Sequence, residues 1–217
     1  MGYRLLPFLM AAVVALAQTP VRLESRVDTK GAGEAVITNL KSSPLTAYLL
    51  QVYLEPCSPT QRSPAVFRGF DAALSGEPLP QAHSRTENLG AAFCNKDGVS
   101  VPAKAELRAA VFQDGSFWGD AQWVNSLLNN RRFQLQQFNI VLDRLKAHDA
   151  GTMPLETVME DLKKQLERTG RRNTLSFPPL LDVSELVSAN LKNGITPTIS
   201  LFERLRSRLL EARPDIR

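Results

Sequence analysis

Lys104-Ala105-Glu106-Leu107-Arg108-Ala109-Ala110-Val111 runs into Phe112-Gln113-Asp114-Gly115-Ser116-Phe117-Trp118-Gly119-Asp120 and then into Ala121-Gln122-Trp123-Val124. The hydrophobic period changes across this stretch. Ala105, Leu107, Ala109 and Val111 alternate with Lys104, Glu106 and Arg108, the period of two that marks a strand with one buried and one wet face. Beyond Asp114-Gly115 the period becomes 3.6. Val124, Leu127, Leu128, Leu135, Phe138, Val141, Leu142 and Leu145 form a single stripe behind Asp120, a residue type suited to the N-cap, and predict a helix reaching Lys146 or His148. Such a helix is about 40 Å long at the usual rise per residue. The chain therefore reads as α+β, with a β-domain over 18–116 and a helical region over 117–217.

Upstream, Val21-Arg22-Leu23-Glu24 alternates like a half-buried strand, and Gly31-Ala32-Gly33 breaks it. Ala35 to Asn39 and Thr46 to Leu54 are rich in β-formers, and Leu40-Lys41-Ser42-Ser43-Pro44 between them carries turn chemistry, so the pair predicts a hairpin. Tyr48, Leu50, Val52 and Leu54 face one way and Leu49 and Tyr53 the other, which predicts a central strand covered on both sides. The stretches 55–64 and 75–80 hold too many prolines for central strands. Short strands with turn signals predict a small antiparallel β-sandwich of the immunoglobulin-like sort.

Downstream, Leu155, Val158, Met159, Leu162 and Leu166 share one face of a second helix, on which Glu160 can pair with Lys164. Asp182 and Glu185 have capping-box spacing at the start of a short helix that Gly194 ends. Thr196-Pro197 opens a last helix with Ile199, Phe202, Leu205 and Leu209 inside and Pro214 beyond it.

The N-terminus has a different character. Arg4 precedes an uncharged apolar run from Leu5 to Ala17, too short to span a bilayer but of the length of a signal-peptide core. Ala15-Leu16-Ala17 supplies small residues for cleavage after Ala17, giving a signal peptide over 1–17. No cysteine follows the run to accept a lipid. Export then permits Cys57 and Cys94 to pair, a crosslink worth about 3–4 kcal/mol by loop entropy if unstrained.

Two segments carry a resemblance. Val36 to Tyr48, with its Asn, Ser and Pro turn, and Ala110 to Asp120, a strand-to-helix junction, resemble exported bacterial proteins with an immunoglobulin-like β-sandwich. The resemblance implies that sandwich and a secreted or periplasmic setting, and it implies no activity.

Composition narrows the function classes. The chain of 217 residues is 43% hydrophobic with a formal charge of +4, which suits a folded core and excludes wholesale disorder. Two Cys and two His, widely spaced, fit neither a disulfide-dense scaffold nor a zinc ribbon, and no cofactor or metal is expected. Residues 18–120 hold 10 basic and 11 acidic groups and residues 121–217 hold 15 and 11, so the positive excess lies in the helical region. Arg131-Arg132, Arg171-Arg172 and Arg204, Arg206 and Arg208 read as solvated helix faces. Weak contact with an anionic membrane surface is compatible with them, whereas nucleic acid is not an expected target of an exported chain.

The candidate site residues are Asp114, Asp120 and His83. Asp114 and Asp120 with Ser116 could offer oxygens to calcium, but the spacing is not that of an EF-hand, and a turn at Asp114-Gly115 with a cap at Asp120 explains the same residues. His83 beside Ser84 has no nucleophile-elbow sequence and reads as a loop histidine, and His148 as a cap at a helix C-terminus. The expectation is an exported, non-catalytic protein of the envelope or extracellular space that acts through an unidentified protein partner. The alternative is an exported hydrolase or ligand-binding protein with a site assembled from distant residues. N-terminal sequencing of exported material should begin at Gln18, and an intact Met1 would defeat the signal-peptide assignment.

Overall fold

The structure, a computed structural model, describes residues 19–27, 33–53, 65–94, 99–102, 104–171 and 181–214. The signal peptide over 1–17 and Cys57 lie outside these residues, and with them the pairing expected for Cys94. Along the described chain run β1 (Val21–Val27), β2 (Gly33–Asn39), β3 (Leu45–Tyr53), β4 (Ala65–Asp71), α1 (Ala72–Ser75), β5 (Ser84–Cys94), β6 (Val99–Pro102), β7 (Lys104–Phe112) and β8 (Phe117–Gly119). Four helices follow: α2 (Ala121–Asp149), α3 (Leu155–Arg171), α4 (Val183–Leu191) and α5 (Ile195–Glu211). The strands make two antiparallel sheets, in the orders β1-β2-β5-β6 and β4-β3-β7-β8. Their facing sides share one core, in which Ala35, Ile37 and Leu89 of the first sheet meet Tyr48, Leu50, Val52, Phe70 and Ala110 of the second.

β3 is central and buried on both faces, as its apolar run predicts. The hairpin expected at 40–44 does not form, because β2 and β3 belong to different sheets. Asn39 is the reason. Its side-chain amide donates to the carbonyls of Ser43 and Leu79, each at 3.0 Å, while its oxygen accepts from the Lys41 N–H at 3.0 Å. This Asx turn, built on the fully buried Asn39, lifts the chain from one sheet to the other, using the same residue types that mark a hairpin turn.

The single wet face expected for β7 is also corrected. Leu49 pairs with Ala109 while Leu50 pairs with Leu107, which leaves Arg108 as a bulge and reverses the phase of the strand. Ala105 and Leu107 therefore point into the inter-sheet core with Ala110 and Phe112, and Ala109 and Val111 point to the opposite face. A second shift leaves Thr46 as the extra residue in β3, and its hydroxyl donates to the Val111 carbonyl at 3.0 Å. The Arg108 carbonyl accepts the Asp120 N–H at 3.3 Å, and a Cβ on Gly119 would come within 2.2 Å of that carbonyl oxygen. Gly119, at φ 106°, is thus required where the sheet hands over to the helix.

α2 runs for 29 residues, about 44 Å. Val124 and Leu127 at its N-terminal end pack on the outward face of the second sheet against Ala47, Leu49, Ala109 and Val111. Phe138, Val141, Leu142 and Leu145 at its other end build a second core with α3, α4 and α5. The helical stripes hold with one exception: Val158, Leu162 and Leu166 of α3 are buried, but Leu155 is exposed. Glu160 and Lys164 pair at 2.7 Å, and Asp182 caps α4 by accepting the Glu185 N–H at 3.0 Å.

Between the two cores α2 carries the main surprise. Arg131, read from sequence as solvated, is 1% exposed. Its Nε and a terminal nitrogen grip both carboxylate oxygens of the equally buried Asp71 at 2.6 and 3.1 Å, and its other terminal nitrogen donates to the Arg213 carbonyl at 2.8 Å. Asp71 also caps α1 through the Ala73 N–H at 3.0 Å. Removing one member strands a charge. Arg131→Met should lower the unfolding free energy by about 3–5 kcal/mol, read as a lower urea midpoint at unchanged slope. Adding Asp71→Asn, which keeps the cap acceptor, should restore much of that loss, and strictly additive losses in the double variant would speak against a charge-pair origin.

Candidate functional site

Asp114 occupies the β7–β8 turn, where four hydrogen bonds converge. Lys41 Nζ donates to Asp114 Oδ2 at 2.8 Å, the Ser116 hydroxyl and N–H donate to Asp114 Oδ1 at 2.6 and 3.0 Å, and the Asp114 N–H donates to Ser43 Oγ at 3.0 Å. Lys41 also donates to Ser116 Oγ, and its ammonium sits 4.7 Å from the centre of the Phe112 ring. Hydrogen bonds from Lys41 and then Ser116 hold the Asp114 carboxyl well below the usual carboxylate range.

Ser, Lys and Asp in contact invite a nucleophilic reading, but the proton directions oppose it. Lys41 donates to the serine rather than accepting from it, and the serine donates to a carboxylate whose proton affinity is lowered. The cluster binds the sheet-crossing turn after β2 to the β7–β8 turn.

Asp120 is engaged elsewhere. Its side chain accepts the Gln122 N–H at 2.7 Å and its carbonyl accepts from Trp123 and Val124, so it caps α2. β8 separates it from Asp114, and Trp118 between them turns into the inter-sheet core. His83 is exposed on the loop into β5. Its Nδ1 lies 3.0 Å from the Gln81 carbonyl, and its own carbonyl accepts the Asn39 N–H at 3.1 Å, which continues the β2–β5 pairing. Asp114, Asp120 and His83 therefore occupy separate places. His148 Nδ1 lies 2.7 Å from the Met153 carbonyl, in the loop after α2. Among the described residues no group of three His, Cys, Asp or Glu converges as for a metal, and no helix is long and apolar enough to cross a membrane.

One polar group in the inter-sheet space carries no sequence signal. The Tyr48 hydroxyl donates to Glu87, Arg85 donates to the same carboxylate at 2.9 Å, and the Arg85 guanidinium lies 3.9 Å from the centre of the Phe70 ring. Burial, then the Glu87 hydrogen bond and charge, push the Tyr48 phenol far above its ordinary value. That interaction stabilises the fold below the ordinary phenol range and is lost as pH rises above about 10, where the unfolded chain releases the proton first.

Two concavities are lined by described residues. A groove of about 500 Å³ between α3 and α4 has an apolar floor of Met159, Leu162, Leu166 and Val187, with Lys163 and Ser188 among its rim residues. A smaller cleft of about 200 Å³ lies where Thr46 of β3 and Gln113 after β7 meet Arg131, Arg208 and Arg213. Neither contains Asp114, Asp120 or His83. Of the other arginines read as solvated, Arg206 donates to Asn139 and Arg208 to the Gly76 carbonyl, while the side chains of Arg171 and Arg172 lie outside the described residues.

Replacing Lys41 with alanine removes the leading cause of the low Asp114 value. Carboxyl-detected NMR titration of Lys41→Ala should show the Asp114 midpoint moving up toward that of an ordinary aspartate. A midpoint that stays put would assign the effect to Ser116 alone. No protein-family model, curated protein or solved structure matches the chain.

Proposed function

We propose that this is an exported, non-catalytic protein of the cell envelope or extracellular space that works through contacts with another protein. Its two sheets are read as an immunoglobulin-like sandwich, a reading supported by the orders β1-β2-β5-β6 and β4-β3-β7-β8 and by the passage from β2 to β3 between sheets. The export reading rests on the apolar run from Leu5 to Ala17.

The α3–α4 groove is the observation that carries the protein-contact reading. The polar groups that could do chemistry hold turns, caps and sheets together: Asp114 and Ser116 bind Lys41, Asp120 caps α2, and Glu87 binds Tyr48. The accessible concave surface of greatest volume described above is instead apolar, of the kind that receives a side-chain anchor from a protein partner. A ligand-binding alternative is favoured by the smaller cleft, because its lining runs from Thr46 to Arg213 and is thus assembled from residues distant in sequence.

A photoreactive residue in place of Lys163, in the full chain expressed in its own cells, tests the proposal. One envelope or extracellular protein should be captured repeatedly, with the yield falling at least about tenfold when Ser188→Arg fills the groove. Adducts that merely follow protein abundance, or that persist with Ser188→Arg, would remove the groove as the contact.

A further inference from the structure

We infer that the free edge of β4 is a docking site for an extended segment of a partner protein, which adds as a strand and carries an acidic residue opposite Arg68. β4 pairs with β3 over all seven residues, and among the described residues no strand lies along its other side. Its outer N–H and C=O groups form a row that a strand can pair with.

The remaining edges are protected in ways that β4 is not. β1 carries Arg22, Glu24 and Arg26, the first two paired at 3.0 Å and the third paired with Glu34 at 2.7 Å. β8 is three residues long and runs straight into α2, and β6 is four. Charge and short length are the usual defences of a sheet edge. β4 reads Ala-Val-Phe-Arg-Gly-Phe-Asp, with Arg68 as its one charge before the buried Asp71.

Burial along β4 indicates which side chains an added strand would present. Val66, Arg68 and Phe70 lie opposite Val52, Leu50 and Tyr48 and share their face, the one directed at the first sheet. That sheet covers only one end: Phe70 is buried beneath Arg85, whereas Val66 is 39% exposed and Arg68 is exposed. A strand added to the edge continues this face at every second residue. It therefore needs an apolar residue beside Val66, a carboxylate beside Arg68 and an apolar residue beside Phe70, an apolar-x-acid-x-apolar pattern that reads the same in either direction. No described residue offers Arg68 a carboxylate. A second copy of the chain is a poorer occupant, since the antiparallel register that pairs all seven residues puts Arg68 opposite Arg68, and like charges directly opposed are destabilising.

β4 and the α3–α4 groove share no residue, so each can fail without the other. The probe is the acetylated, amidated peptide Thr-Val-Thr-Glu-Thr-Val-Thr, compared with versions carrying Lys for Glu or an N-methyl group on every residue. With the full chain, the Glu peptide should slow hydrogen exchange in residues 65–71 and leave β1 unchanged. It should bind about fivefold tighter than the Lys peptide, and Arg68→Glu should reverse that order. The N-methylated peptide, which cannot pair with an edge, should not bind. Arg68 is exposed, and circular dichroism of Arg68→Glu should match the parent. No exchange protection at about 1 mM peptide, equal binding of the Glu and Lys peptides, or protection on another strand would each overturn the assignment. Concentration-dependent self-association that protects β4 without peptide would overturn it in favour of a second copy.

Discussion

The buried pair of Asp71 and Arg131 holds together the parts of this chain that the sequence separates. Asp71 ends an edge strand and caps α1, Arg131 sits in the N-terminal half of α2, and the Arg213 carbonyl follows α5, so one guanidinium ties sheet, long helix and C-terminal helix. Dispersion and burial alone would let α2 slide or rotate on the small side chains Ala47 and Ala109. A bidentate ion pair buried at both ends disfavours any register that separates the two charges. Such pairs add little net stability over well-packed apolar residues, because desolvation opposes the attraction. Their effect is to penalise every arrangement in which either charge lacks the other, and here that penalty sets where the helical part sits on the sheet.

With α2 placed in this way, its two ends can serve different cores. Val124 and Leu127 cover the second sheet on the face away from its partner sheet, and Phe138 to Leu145 nucleate the helical layer. The bulges at Thr46 and Arg108 make this possible. Each reverses the side-chain phase of its strand, so β3 and β7 keep apolar residues on both faces where α2 lies, while the end of β7 beyond the bulge still shows charge to solvent. The Arg108 bulge also directs its carbonyl at Asp120, so the irregularity in the strand fixes the start of the helix.

The periodic features were legible from sequence. β3, α2, α3 and α5 lie where the periodicity puts them, with the expected inward residues except Leu155 and with Leu54 outside the described residues, and the caps at Asp120 and Asp182 follow from residue type and position. What was illegible depends on partners far away in the chain. Asn39 to Pro44 has the residues of a hairpin, and only the distant carbonyl of Leu79 turns it into a crossing between sheets. A period-two run cannot reveal a bulge, because Arg108 looks like one more wet-face residue until its pairing with β3 is known. Arg131 lies beside the exposed Arg132 and shares its composition, and Asp71, its partner sixty residues earlier, sits in a stretch with no strong pattern. The candidate site divides similarly. A turn at Asp114 and a cap at Asp120 follow from local chemistry, whereas Lys41 as the partner of Asp114, and Glu87 as that of Tyr48, have no local signal.

These long-range ties also decide which surfaces remain for recognition. A carboxylate held by a lysine and a serine has little proton affinity and no free geometry, so Asp114 works as a fastener between two turns. Glu87, shared by Tyr48 and Arg85, fastens the two sheets in the same manner. The backbone row of β4 has no such fastening on its outer side among the described residues, and Val66 and Arg68 project beyond the cover of the facing sheet. On the inference drawn above, this edge, with Arg68 as its one charge before the buried Asp71, recognises a partner through its main chain, and that arginine selects the strand that pairs.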